Sequence, residues 1–430
     1  MEHSFQRQVW SIALPTALQS LVQNSLGIID QVMIGQLGMT MIAATGFANK
    51  YISIYQTIIA AAASGVSIFV AQYAGRNAKV ESARLIQVVM KWTFLISILV
   101  SILSSILPVM NLYTRDVASQ AMDYMRVAIW AIPFQAYTVL YSVPLRCYHH
   151  AKEPFYASAI GILANTALNA LLIFGFKWGV LGAALATVLS TALSAIIIAY
   201  YCSRYLPWLK QKEAVKIQLQ SLVKIVVPLV VSDFLWSLGE NIYTMVYGHT
   251  NLIASAAMTM TIPVVGLYMG LLMGFSQAAG ILIGRNLGLN QSHLAMSHSK
   301  TILKMAFIGS LILFASLSLL APLYVRIYHV DANVQTLSIQ LLWAFGLMSL
   351  VKVQNMVIGG VLRSGGHTGI LLILNTFGTW AIGVPLAVAG LFFFKENILW
   401  IYLLLSQEEF VRLILCYCLF FKKKWMTRLD

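Results

Sequence analysis

The chain has 430 residues, of which 59% are hydrophobic and 10% are charged, and its mean hydropathy is +0.79. This composition excludes a soluble globular protein and indicates a membrane protein that crosses the bilayer several times. The net charge of +14 comes from basic residues that are spread through short loops. It therefore indicates membrane topology rather than binding to nucleic acid.

The N-terminal sequence MEHSFQRQVW lacks the basic region and small-residue cleavage site of a signal peptide, so the first helix is expected to stay in the protein. Four cysteines, Cys147, Cys202, Cys416 and Cys418, form no CxxC pair and lie in or beside apolar segments. They are interpreted as structural thiols rather than metal ligands.

Apolar stretches of about 20 residues or more predict twelve transmembrane helices. The stretches cover residues 10–35, 42–72, 87–110, 122–146, 156–176, 179–202, 221–248, 252–283, 299–324, 334–362, 368–390 and 397–421. The predicted fold is an all-α polytopic membrane protein with two pseudo-symmetric six-helix bundles. Residues 1–202 form the N-lobe with helices 1–6, residues 203–220 form a cytoplasmic connector, and residues 221–430 form the C-lobe with helices 7–12 and a basic C-terminal tail.

The two halves repeat each other at an offset of roughly 210 residues. The repeated landmarks are an early proline at Pro15 and Pro228, a Gly-Arg-Asn sequence at 75–77 and 284–286, and a Leu-Arg pair at 145–146 and 362–363. Two halves in parallel orientation are an architecture of secondary transporters.

Basic residues concentrate in alternate loops: after helices 2, 4, 8 and 10, in the connector and in the C-terminal tail. The loops on the opposite side carry one basic residue each or none. The positive-inside rule then places both termini in the cytoplasm and predicts a multi-pass protein of the bacterial inner or plasma membrane.

One acid, Asp30, lies in the first predicted span, within the stretch QNSLGIIDQVMIGQLG at 23–38. An ionised acid inside a bilayer costs about 3 kcal/mol or more, so this residue is a candidate functional group. It lies roughly 12 Å of helix below the membrane surface. Gln23 shares its helix face, and Asn49 and Gln56 share a face of helix 2. These three side chains are expected either to line a cavity or to pack between helices.

Helices 5 and 6 form a hairpin that places Asn169 and Thr187 at one depth, with Asn165 one turn from Asn169. Asp30 lies at a similar depth below the same surface. Together these side chains offer only hard oxygen ligands, which suit Na⁺ and exclude soft transition metals. A buried carboxylate also takes up a proton, so H⁺ is the alternative ion. Hydrogen bonding between helices is the alternative role for the two asparagines and the threonine.

The second half has two acids inside helix 7, Asp233 and Glu240, which lie two turns apart on one face. They are expected either to couple or bind a cation, or to form a structural network with Lys224 and Lys352. The offset between Pro15 and Pro228 aligns Asp30 with Tyr243, so the two halves are not chemically equivalent.

Several segments, in order along the chain, resemble the multidrug and toxic compound extrusion (MATE) family. They are P-x14-D-x4-G-x-L-G in helix 1, AQYAGRNA at the end of helix 2, LNALLIFG followed by GVLGAALAT in helices 5 and 6, and VLRSGGHT after helix 10. The resemblance covers essentially the whole chain. It implies a V-shaped pair of six-helix lobes that alternate between outward and inward openings.

The resemblance also implies roles for single residues. Asp30 matches the cation-coupling aspartate of helix 1, and Asn165 and Thr187 match the asparagine of helix 5 and the threonine of helix 6. Asn169 lies where many members have aspartate, and Asn375 lies where some do. One acid fewer should weaken attraction for Na⁺ or shift the balance towards a proton.

In the second lobe, family members with a coupling acid in helix 7 suggest Asp233 or Glu240 for that role. Tyr243 and Asn375 are the other two possible C-lobe coupling residues.

The resulting hypothesis is secondary active efflux of amphipathic, often cationic, small organic molecules in antiport with Na⁺ or H⁺. We expect no cofactor besides the coupling ion, contact with membrane lipid, no nucleic acid and a monomer. Flipping of lipid-linked oligosaccharides, within the same superfamily, is the alternative. It would predict a longer chain and a cationic cavity, whereas the intramembrane charges are interpreted as mainly acidic. A membrane enzyme is not indicated, because the sequence contains no HExxH or GxSxG motif.

Overall fold

The structure, a computed structural model, describes residues 2–106, 115–211, 219–328, 330–395 and 397–429. Residues 212–218 of the predicted connector lie outside the described residues. All regular secondary structure in the described ranges is helical. The α-helices are α1 (Glu2–Gly35), α2 (Met39–Gly75), α3 (Lys79–Ile106), α4 (Arg115–Ala128), α5 (Ala131–Cys147), α6 (Lys152–Asn169), α7 (Gly179–Tyr205), α8 (Leu219–Gly248), α9 (Leu252–Gly288), α10 (Ser292–Val325), α11 (Ala332–Arg363), α12 (Thr368–Thr376), α13 (Val384–Phe393), α14 (Ile398–Leu405) and α15 (Gln407–Phe421).

Within the described residues, ten helices are long and apolar enough to cross a membrane. Ser119–Ala128 of α4 and Ala131–Cys147, bent by 43° from each other, bring the number to eleven if they form one span. The prediction of an all-α polytopic membrane protein is confirmed. The twelfth predicted helix, 397–421, is formed by α14 and α15, which meet at Ser406. Neither is long enough to cross a membrane alone, and α15 begins with buried charged residues.

The chain divides into two compact units. Residues Leu18–Leu222 form one, here called the N-terminal unit, and Met1–Ala17 with Val223–Asp430 form the other, the C-terminal unit. The grouping differs from the predicted lobe boundary at the start of the chain, because the beginning of α1 groups with the second half. A close contact explains this: Gly274 on α9 faces the Ala13 carbonyl of α1, and a Cβ there would overlap it.

The core of the N-terminal unit lies between α2, α4, α5 and α7. Its largest fully buried side chains include Met125, Ile129 and Ile132. Helix α6 approaches α7 closely at Gly161, where a Cβ would overlap the Ser194 hydroxyl. This contact brings the polar face of α6 against α7.

The core of the C-terminal unit lies between α8, α9, α10, α11 and α14. Helix α11 is the central element, since it packs against α9, α10 and α15. Gly360 of α11 allows this approach, because its Cα lies against the Ser276 carbonyl of α9, 2.6 Å from where a Cβ would lie. Helix α11 also packs against α15, where Asn355 lies beside Glu409.

Each unit contains a π-helical segment, Ala170–Gly175 after α6 and Phe377–Gly383 after α12. Hydrophobic patterning does not predict these segments. A π-helical turn adds a residue and rotates the following side chains, and it occurs frequently at functional sites. Both segments lie beside the polar clusters described below.

Candidate functional site

The first polar cluster, the Asp30 site, consists of Asp30, Asn165 and Asn169 in the N-terminal unit. The side-chain Nδ2 of Asn169 donates to Asp30 Oδ1 at 2.6 Å and to Asn165 Oδ1 at 2.9 Å. Asn165 in turn donates to the Ser190 hydroxyl on α7 at 3.2 Å. Both asparagines are 1% exposed. The structure therefore brings three of the four residues predicted for cation coupling into direct contact.

The carbonyl oxygen of the Asn169 side chain, Oδ1, is buried and has no hydrogen-bond partner among the described residues. Buried polar atoms are nearly always paired, so an unpaired one calls for an explanation. Here the oxygen belongs to the residue that already binds the carboxylate of Asp30. A cation or a hydrogen-bond donor placed at this oxygen would satisfy it.

The fourth predicted residue, Thr187, joins the site indirectly. Its hydroxyl donates to the Ala183 carbonyl one turn earlier, at 3.0 Å. It also lies near Tyr124, which interacts electrostatically with Asp30.

Tyr124 on α4 was missed by sequence reasoning. It is 4% exposed, and its hydroxyl donates to Asn49 Oδ1 at 3.2 Å. A tyrosine within an apolar helix carries little signal, since the ring alone would pack well there. Comparing the depth below the membrane surface of hydroxyl groups, as well as of amides and acids, could have identified Tyr124.

The residues predicted to line a cavity in this half are exposed. Gln23, Asn49 and Gln56 all have accessible side chains, and Asn49 is tied to the Asp30 site through Tyr124. Lining of a cavity by these three residues stays a prediction.

The residues predicted for the C-terminal unit lie in two groups, Asn375 with Asp233 and Glu240 with Tyr243. Asn375 donates to the Ser232 hydroxyl at 3.0 Å, and Asp233 has Arg363 as its electrostatic partner. Glu240 instead lies within electrostatic range of Lys352, as the structural-network interpretation expected. Whether any of these residues couples transport stays a prediction.

Tyr243, which aligns with Asp30, belongs to the second polar cluster, here called the α15 cluster: Glu408, Glu409, Arg412, Tyr243 and Asn355. The Tyr243 hydroxyl donates to Glu408 Oε2 at 2.9 Å. Arg412 lies 3.4 Å from Glu408 and 3.6 Å from Glu409. Asn355 Nδ2 donates to Glu409 Oε2 at 2.7 Å.

The α15 cluster adds a buried base to the intramembrane charges, which were interpreted as mainly acidic. Arg412 is 8% exposed and is enclosed with two acids that are 3% and 7% exposed, so acids still outnumber bases in this cluster. The sequence did contain a signal, because Arg412 follows Glu408 and Glu409 by four and three residues and so shares their helix face.

Replacing Gly383 with alanine is expected to destabilise the C-terminal unit. Gly383 ends the π-helical segment, and a Cβ there would overlap the Tyr243 hydroxyl and Glu408 Oε2. Overpacking of this kind costs about 1–3 kcal/mol. Thermal unfolding of the purified protein in detergent measures the effect.

Gly175, which ends the π-helical segment of the N-terminal unit, provides the control. A Cβ at Gly175 would make only an ordinary contact of 3.5 Å with Leu171. The Gly175→Ala variant should therefore unfold close to the temperature of the wild type. Equal losses of stability in the two variants would contradict the proposed overlap.

Comparison with known proteins identifies the family. The MatE family matches residues 15–171 and 228–389, which is more than half of the chain. The chain is a MATE family transporter. This confirms the family resemblance of the sequence. A shorter match, to the lipid II flippase MurJ, covers residues 129–255.

Relatives of this MATE transporter match it over most of their length. The probable multidrug resistance protein NorM of Thermotoga maritima is 22% identical and is matched over 98% of this chain and 93% of its own. The multidrug resistance protein NorM of Burkholderia vietnamiensis is 27% identical over 87% of this chain and 84% of its own.

Solved structures share the fold of this MATE transporter. An outward-facing multidrug resistance MATE family transporter of the MOP superfamily has a TM-score of 0.88, with 17% identity over 99% of this chain and 97% of that one. A variant of the Vibrio cholerae MATE transporter VcmN also has a TM-score of 0.88, with 17% identity over 99% of both chains.

Proposed function

We propose that this MATE transporter exports amphipathic, often cationic, small organic molecules in antiport with Na⁺ or H⁺. One observation carries the proposal: Asp30 lies within a membrane span, its carboxylate is held by an amide, and among the described residues no basic group lies within 4 Å of it. A partly buried anion without a fixed counter-ion is free to exchange one cation for another.

The Asp30 site fits either coupling ion. Carboxylate and amide oxygens are ligands that Na⁺ accepts, and the unpaired Asn169 Oδ1 would be one of them. A proton on Asp30 would instead neutralise the carboxylate. Asn169 in place of a second acid lowers the negative charge of the site, which weakens the attraction for Na⁺.

The substrate class follows from the same charge. An organic cation and the coupling ion would compete for Asp30, so binding of one would favour release of the other. Alternating access requires in addition that the two conformations bind each ligand with different affinity. The relatives named as multidrug resistance proteins support export as the direction of transport.

We further propose that the protein is a monomer in the plasma membrane. Both termini lie in the cytoplasm in this proposal, because the basic residues concentrate in the loops on the side of the termini.

Vesicles that contain the purified transporter test the function. A fluorescent cationic dye should cross the vesicle membrane only when a Na⁺ gradient or a pH gradient is imposed. The two gradients are tested separately, and the one that drives dye movement identifies the coupling ion. Vesicles without the protein are the control. Dye movement at the same rate with and without either gradient would overturn antiport.

Flipping of lipid-linked oligosaccharides is the second candidate, because the MurJ match covers residues 129–255 and because Arg412 and Lys352 supply cations in the C-terminal unit. The longer MatE match and the uncompensated acid at Asp30 favour efflux. The same vesicles, loaded with a labelled polyprenyl pyrophosphate sugar, should show no flipping above protein-free vesicles.

A further inference from the structure

The segment after α15, residues 422–429, is folded back onto the C-terminal unit. Lys423 has a left-handed backbone conformation with φ 59°, which ends α15 and turns the chain. Trp425 is 3% exposed, and its ring stacks on that of Phe420 with 5.7 Å between the centroids. Its Nε1 also donates to the Phe420 carbonyl at 3.0 Å. The segment is therefore held in place by the helix that it follows.

The loop after α11 and the start of α8 hold the same segment. The Thr427 hydroxyl donates to the carbonyl of Gly365 in this loop. A Cβ on Gly366 would lie 2.9 Å from the side chain of Leu429 and 3.1 Å from that of Ile225 on α8. The segment, the loop and the start of α8 therefore meet at one end of the C-terminal unit.

Five basic side chains are exposed around this meeting point and are here called the tail patch. They are Lys224 on α8 and Lys422, Lys423, Lys424 and Arg428 after α15. Among the described residues, no acid lies within 4 Å of any of them. Within 422–430 the sequence contains one acid, Asp430, which lies outside the described residues. The tail patch thus carries positive charge without a fixed counter-ion in the part of the chain that the structure describes.

Exposed apolar side chains border the tail patch. Phe421, directly before Lys422, is 61% exposed at the end of α15, and Val223, directly before Lys224, is 51% exposed. Helix α8 is long and apolar enough to cross a membrane, so these residues lie near the end of a span. An apolar side chain beside a cation matches a lipid, in which an acyl chain adjoins a charged headgroup. Inorganic phosphate or a nucleic acid offers the negative charge without the acyl chain.

We propose that the tail patch binds the phosphate group of an anionic membrane lipid. The ammonium groups of Lys422, Lys423 and Lys424 contact the phosphate oxygens, and Arg428 and Lys224 add to the positive charge. A cluster of four or more basic residues directly beyond a membrane span is typical of segments that bind anionic lipids. Because the segment is already held in place, less conformational entropy is lost on binding. The proposal does not depend on the proposed function, since lipid binding does not require transport.

Cys418 provides a probe for the test, because it is exposed on α15 while Cys147, Cys202 and Cys416 are buried. It precedes Lys422 by four residues, which is about 6 Å along a helix. A thiol-reactive fluorophore is attached to Cys418 of the full-length protein in phosphatidylcholine nanodiscs. Lipids that carry a doxyl quencher near the headgroup then report which lipid lies beside α15. Doxyl-labelled phosphatidylglycerol should quench more strongly than doxyl-labelled phosphatidylcholine at equal mole fraction, and the difference should shrink at high salt.

The triple variant Lys422→Gln, Lys423→Gln, Lys424→Gln should lose this preference. Each lysine near a surface of anionic lipid raises the affinity about five-fold, so removal of three should lower it about 100-fold. The matching triple variant with arginine at the same positions keeps the charge and should keep the preference. Both variants should unfold at the wild-type temperature, because all three lysines are exposed.

The control removes three exposed cations from loops on the predicted opposite side of the membrane, with the substitutions Lys177→Gln, Arg326→Gln and Lys395→Gln. It should quench as the wild type does. Equal quenching of the wild type by the two lipids would overturn the proposal, and so would an unchanged preference in the glutamine variant or an equal loss in the control. Loss of the preference on addition of inorganic phosphate at constant ionic strength would overturn a lipid as the ligand. Failure of the dye assay would affect only the proposed function.

Discussion

The Asp30→Asn variant is expected to lose gradient-driven dye efflux and to remain folded. Asparagine has nearly the same shape as aspartate, and its Oδ1 can still accept the hydrogen bond from Asn169 that Asp30 accepts at 2.6 Å. The substitution removes the charge alone. If the attraction between the coupling ion and this charge contributes about 3 kcal/mol to binding, the affinity of the site for the ion falls about 100-fold when the charge is removed. Dye efflux from vesicles under the active gradient measures the effect.

Asp123→Asn is the matched control, since Asp123 also belongs to the N-terminal unit but is exposed and pairs with Arg126 at 3.7 Å. This variant should transport at the wild-type rate. Size-exclusion profiles and unfolding temperatures of both variants should match the wild type. Coupled efflux that persists in Asp30→Asn would remove Asp30 from the mechanism, even if the protein proved to be a transporter.

The Asp30 site shows how far sequence reasoning reaches in a membrane protein. Counting residues from a turn fixes depth because an α-helix rises 1.5 Å per residue, and this placed Asp30, Asn165 and Asn169 together. Depth does not fix rotation about the helix axis. For that reason Thr187, which was expected at the same depth, donates to the Ala183 carbonyl of its own helix instead.

The C-terminal unit shows where the reasoning stops. The repeat offset aligned Asp30 with Tyr243, but alignment cannot show that this tyrosine contacts an acid 165 positions later, at Glu408. The π-helical segment Phe377–Gly383 adds to the difficulty, because it rotates Thr379 and Gly383 towards the α15 cluster. Period-based patterning assumes regular helices and misses such a rotation.

Replacing Arg412 with glutamine is expected to cause the largest loss of stability among substitutions in the α15 cluster. Arg412 lies 3.4 Å from Glu408 and 3.6 Å from Glu409, and among the described residues no other cation lies within 4 Å of either acid. Removing one partner of a buried ion pair costs about 3–5 kcal/mol, because the remaining charge stays buried without compensation. The unfolding temperature in detergent and the yield of folded protein measure the loss.

The exposed pair of the N-terminal unit provides the comparison. Arg126 and Asp123 are 54% and 50% exposed, so Arg126→Gln should cost only about 0–1 kcal/mol. A second substitution tests the cause: Glu408→Gln added to Arg412→Gln leaves one unpaired acid instead of two and should restore part of the lost stability. If the double variant were no more stable than Arg412→Gln, the loss would come from packing of the guanidinium rather than from its charge.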